Sequence, residues 1–140
     1  MIHTLNLAVT CALFGLIWTI QLVHYPSFRY VTDFSTFHPH HTASITLVVG
    51  PLMLAEIALA AIAVVQSSFN WQWLVLLGIV LVIWGLTFFW AVPLHEKLAV
   101  ERTEKDIEAL IMANWPRTIL WTIKTIWLLL ICVSPLGSEV

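Results

Sequence analysis

Three features of this chain predict an all-α integral-membrane domain: a four-helix bundle with a short interfacial helix before the last span. First, its 140 residues are 60% hydrophobic and only 10% charged. An ordinary soluble domain carries about 25% charged residues. Second, the mean hydropathy is +0.92, and a chain this short has too little interior to hide so much apolar surface. Third, four apolar runs cover residues 5–24, 43–65, 71–94 and 115–133. A helix needs about 20 such residues to cross a bilayer. Short alternating segments of the barrel type are lacking. A net charge of -2 offers no basic surface to nucleic acid. The whole chain, 1–140, is expected to be one membrane domain.

The first run has no basic residue ahead of it and no small-x-small cleavage site, so it is expected to be a retained span. Asn6, Thr10, Gln21 and His24 share one of its faces at helical spacing. Residues 25–42 read as a long connection rich in His and aromatic residues. His38-Pro39-His40-His41 stands at the mouth of the second span, and His40 is expected to face solvent. A helix beginning near Pro39 puts His38 and Glu56 in register, about five turns apart at 3.6 residues per turn. Gln66 to Asn70 is a short polar turn. In the third span Trp84, Phe88, Ala91 and His95 form a stripe.

Residues 95–114 hold the one charged segment of any length. Thr103-Glu104-Lys105-Asp106 resembles a capping box that starts a short helix at the interface, with Ile107, Leu110 and Ile111 on one face. Asn114 is expected to cap the last span and Pro116 to sit in its first turn. Asn114, Arg117, Trp121 and Lys124 form the last stripe. Arg29, Lys97, Arg102, Lys105 and Arg117 lie on the long-loop side. The positive-inside rule makes that side cytoplasmic and puts both termini outside, in a bacterial inner membrane.

Glu56 is the costliest residue, because a charge at mid-span costs about 3 kcal/mol or more unless paired, protonated or hydrated. Lys124 or Arg117 is its expected partner. Its role is either to pin two helices together or to take part in ligand, proton or metal binding. His24, His38, His41 and His95 converge at one rim and can bind a transition metal (iron, copper or zinc) or haem b. The other readings are contacts to an organic ligand or quinone, or bonds to loop backbone. Trp71, Trp73, Trp90 and Trp115 are placed as interface anchors, and Trp18, Trp84, Trp121 and Trp127 as deeper packing or the lining of a pocket for a flat ligand. Cys11 and Cys132 are expected to be buried free thiols.

Thr87-Phe88-Phe89-Trp90-Ala91-Val92-Pro93-Leu94-His95-Glu96-Lys97-Leu98 resembles the end of the third helix in the anthrone-oxygenase-like family of small four-helix membrane proteins. That family tends to show Thr followed by Val-Pro, a polar residue and Leu. Asn114-Trp115-Pro116-Arg117-Thr118 resembles its Asn/His-x-x-Arg-Thr entry, and His24-Tyr25-Pro26 fits its proline after the first span. The resemblance implies His95, Asn114 and Arg117 as site residues. For some members it implies oxidation of polycyclic phenolic anthrones to quinones. Members often carry Asn where this chain has His95, and the His38/His40/His41 set lies outside the pattern. Both departures favour a metal or haem specialisation.

The leading expectation is therefore an integral-membrane oxidoreductase or oxygenase-like protein acting on a hydrophobic small molecule or quinone. Glu56 and Arg117 would act in catalysis, and Tyr25, Asn114, Trp121 and Lys124 would contact ligand. The alternatives are a non-enzymatic accessory subunit of a respiratory or photosynthetic complex, and a small proton-linked transporter. The lipid bilayer is the expected partner, with a homo-oligomer or larger complex also open.

Overall fold

A computed structural model describes residues 1–133 of the chain. They form four long helices: α1 (Ile2–Tyr30), α2 (Phe34–Gln66), α3 (Trp71–Val100) and α4 (Glu104–Val133). No strand is present among the described residues. Neighbours in sequence pack side by side and α4 closes against α1. The bundle is therefore a square with α2 and α4 on one diagonal.

Each helix is 29 to 33 residues long, roughly 45–50 Å at the usual rise. That exceeds a hydrocarbon core of about 30 Å, so the end turns project beyond it. The first three helices are long and apolar enough to cross a membrane. Among the described residues α4 does not match them, because Asn114, Arg117, Lys124 and several threonines interrupt it. Those polar residues are buried against the other helices. The surface is the reverse: Leu47, Leu54, Leu81, Val82, Phe89 and Leu130 are exposed. Polar groups inside and apolar groups outside suit an apolar solvent.

The core forms three layers along the axis. Phe28, Phe34, Leu98, Ile107 and Leu110 pack at the end that carries loops 31–33 and 101–103. Leu13, Ile17, Met53, Ile83 and Trp121 fill the middle. Ala63, Val64, Trp73, Leu76 and Leu128 fill the far end.

Side chains fix the helix starts. Asp33 accepts the Thr36 amide at 3.2 Å and the Ser35 hydroxyl at 2.9 Å. Bonds from Thr36 and Ser35 hold its carboxyl below the ordinary Asp range. Its cap is complete above that range and is lost as pH falls through the lowered value. Asn70 accepts the Gln72 amide. Thr103 accepts the Asp106 amide at 3.0 Å. Thr103→Ala is expected to lower stability by about 1 kcal/mol, read by denaturant titration in detergent. The turn before α3 holds Ser68 and Phe69 at positive φ.

Four expectations need correction. The first connection is not a loop over 25–42. α1 runs on to Tyr30, and Asp33 restarts the chain as α2, so His38, His40 and His41 are helical. Pro39 lies inside α2, where it forgoes the bond to the Ser35 carbonyl. The 95–114 segment holds no separate interfacial helix. The stretch from Glu104 is the start of α4 and continues through Asn114 and Pro116. Ile107 and Leu110 hold it in place because they bury fully in the bundle core. Trp73 is no surface anchor: it is buried and stacks on His3 at 4.3 Å. Cys11 and Cys132 are free as expected but exposed rather than buried, on the outward faces of α1 and α4.

Two wide turns interrupt the α-helices. Ile20–His24 in α1 and Thr87–Ala91 in α3 are π-helical. Each ends two residues before a proline, Pro26 and Pro93. A proline cannot donate, and its ring crowds the carbonyl four residues back; a π turn opens room for that carbonyl. Both turns lie at the level where the polar side chains gather.

Candidate functional site

The polar residues form two centres. The inner one lies on the bundle axis. Lys124 Nζ donates to Glu56 Oε1 at 2.7 Å, Thr10 Oγ1 at 2.7 Å and Asn6 Oδ1 at 3.3 Å. Trp121 Nε1 donates to the Glu56 carboxylate at 3.1 Å, and the Thr10 hydroxyl completes the set. Glu56 and Lys124 are wholly buried. The expected partner of Glu56 is thus Lys124, reached across the α2–α4 diagonal. Among the described residues no fully buried polar atom of this centre lacks a partner, and neither ion lines the cavity between α2 and α3.

The outer centre is a chain of side chains. Asn114 Nδ2 donates to Gln21 Oε1 at 2.9 Å, and Arg117 Nη1 donates to Asn114 Oδ1 at 3.1 Å. Asn114 is therefore no helix cap. It sits inside α4 and holds Arg117. The guanidinium lies beside the Tyr25 hydroxyl. Tyr25 Oη pairs with His95 Nε2 at 3.1 Å, and His95 Nδ1 with His38 Nε2 at 3.2 Å. His24 and His41 form a second pair at 3.0 Å. All four imidazoles pack around Phe28, with ring centroids 5.3 to 6.5 Å away. His40 is exposed. Trp121 joins the two centres, with Arg117 5.4 Å over its ring and Glu56 on its nitrogen.

The convergence of His24, His38, His41 and His95 holds, but as two pairs. Among the described residues no three His, Cys, Asp or Glu side chains are placed to hold a metal ion. Both ring nitrogens of His95 are engaged, by Tyr25 and by His38.

A cavity of roughly 570 Å³ opens between α2 and α3. Packing between these helices is concentrated on the Trp71–Leu86 half of α3 and thins beyond it. Ile45, Val49, Met53, Leu54, Phe88 and Val92 give it apolar walls. Leu54 and Phe88 are more than half exposed, so the cavity opens sideways onto the apolar surface. Its inner end is polar, lined by Tyr25, His38, His95 and Arg117, with Trp84 beside them. Among the described residues three buried polar atoms lack a partner: His38 Nδ1, Trp84 Nε1 and Arg117 Nε. All three belong to residues that line this cavity. Buried polar atoms are almost always bonded, so three exceptions around one cavity mark a place where a ligand can complete them.

Of the residues expected at the site, Tyr25, His38, His95 and Arg117 line the cavity. His24, His41 and Asn114 stand behind that wall, and Glu56, Trp121 and Lys124 belong to the inner centre. Sequence reasoning missed the unbonded Trp84 indole and the help that Asn6 and Thr10 give Lys124. The polar face of α1 carried a signal for Asn6 and Thr10. Compared with protein-family models, curated proteins and solved structures, the chain matches none.

Proposed function

We propose that this chain is an integral-membrane protein that takes a hydrophobic small molecule, of quinone type or similar, sideways from the bilayer into the cavity between α2 and α3. The observation that carries this reading is the coincidence of all three unbonded buried polar atoms with the wall of one apolar cavity. The apolar body of the ligand would lie along Val49, Met53 and Phe88, and its polar head would meet Arg117, His38 and Trp84. The bonded row Tyr25–His95–His38 supplies groups that can accept or release a proton beside that head. Oxidoreductase or oxygenase-like chemistry on the bound molecule is what the anthrone-oxygenase-like resemblance adds. By the positive-inside rule, the end with Arg29, Lys97, Arg102 and Lys105 faces the cytoplasm of a bacterial inner membrane.

The transporter reading draws less support, since Glu56 is saturated with bonds and sealed from the cavity. An accessory-subunit role leaves the three unbonded atoms without a purpose.

Gly50 provides the test. It lines the cavity, and a Cβ there would meet only the Thr46 methyl, at 3.9 Å. A decyl-substituted benzoquinone is expected to quench tryptophan fluorescence saturably in the purified protein. Gly50→Phe, which fills the cavity, should abolish that saturation while helical content is unchanged. Saturable quenching that survives Gly50→Phe, or none in the native protein, overturns the proposal.

A further inference from the structure

The unbonded atoms also dictate what chemistry the ligand must bring, an inference that rests on the binding reading above. Trp84 Nε1 and Arg117 Nε can only donate hydrogen bonds. His38 Nδ1 can be either donor or acceptor, according to the tautomer. Two of the three unbonded atoms are thus obligate donors and the third can donate, and all three belong to residues that line one cavity.

The charge balance narrows the class further. Arg117 is only 5% exposed, and among the described residues no carboxylate pairs with it. Its polar company is Asn114 and Tyr25, both neutral. A buried cation without a counter-charge is costly, and a ligand of opposite sign relieves that cost.

We infer that the cavity between α2 and α3 is a receptor for a lipophilic oxyanion, a carboxylate or an ionised phenol or enol, held by donors from Arg117, His38 and Trp84. A neutral ketone satisfies the donors but leaves the cation uncompensated. An amine fails on both counts.

The test compares ligands that differ only in the head. Dodecanoate is set against methyl dodecanoate, and an ionised 3-alkyl-2-hydroxynaphthoquinone against its methyl ether. Each is titrated into the native full-length protein in non-ionic detergent, with calorimetry as the readout. Anions are expected to bind about ten- to a hundredfold tighter than their neutral partners, the range for hydrogen bonds to a charged group. Preference in the carboxylate pair alone, or in the naphthoquinone pair alone, supports the inference and identifies which oxyanion is taken. Arg117→Gln should erase the preference, weakening the anions far more than their neutral partners. Trp84→Phe keeps the ring and loses the donor, and should weaken the anions more than the neutral ligands. In the native protein the indole N–H resonance of Trp84 should shift on adding anion.

If ester and ether bind as tightly as the anions, the oxyanion inference falls and the cavity remains a binding site. A preference that survives Arg117→Gln overturns it as well. If no ligand of either kind binds, both readings fall.

Discussion

Lys124→Met is expected to destabilise the bundle by roughly 3–5 kcal/mol, the usual cost of stripping one partner from a buried ion pair. Three bonds meet at Nζ, to the Glu56 carboxylate, Thr10 and Asn6, and the Trp121 indole reaches the same carboxylate. Removing the ammonium leaves a fully buried carboxylate at the centre of the bundle. The double variant Glu56→Met/Lys124→Met removes both charges and should be more stable than either single variant. It will not regain everything, because Trp121 Nε1 then lacks an acceptor, a loss of about 1–3 kcal/mol. Reversible unfolding in mixed micelles measures all four proteins. A single variant that loses less than about 1 kcal/mol would show that the pair does not hold α2 to α4.

Arg117→Met should act in the opposite sense. The change removes a buried cation that no carboxylate among the described residues balances, at the expense of one bond to Asn114 and the contacts to Tyr25 and Trp121. The unliganded variant is expected to be at least as stable as the native protein, because desolvating a lone charge costs several kcal/mol. Its affinity for an oxyanion-headed ligand should fall about a hundredfold, the upper range for a charge-assisted bond. Stability gained as binding is lost is the signature of a residue kept for function. The same unfolding assay, run beside the calorimetric titration with the anions, checks both halves. A variant that is clearly destabilised and still binds would mark Arg117 as structural.

Much of this was legible in the sequence, for one reason. In an apolar helix a charge is tolerated only when it faces inward to a partner. Glu56 and Lys124 were therefore bound to be buried and to seek company. The stripe Asn114–Arg117–Trp121–Lys124 and the matched spacing of His38 and Glu56 follow from helical periodicity alone.

The failures share a different cause, since local signals were overruled by packing. Asn114-Trp115-Pro116 looks like a helix start, yet Ile107 and Leu110 bury fully and hold the preceding turns in line. The residues around His38 read as a loop by composition, while Asp33 caps a helix that contains them. Trp71 and Trp73 stand at one helix end, but two residues apart they face different ways, and only Trp71 is exposed. Spacing could bring the histidines together. It could not say that Tyr25 and His38 would occupy both nitrogens of His95.

The two π turns carry a consequence for how this chain can change over time. Each accommodates one residue more than a regular helix would. A single-residue deletion inside 20–24 or 87–91 would be absorbed by a return to the regular α-helix, with the residues beyond it left in place. Side chains within the turn, His24 or Phe88 among them, would change their facing while Tyr25, His95 and the rest of the bundle kept their packing. Mutations that shorten or restore a turn thus provide a route by which one scaffold could reshape its pocket in one genetic step.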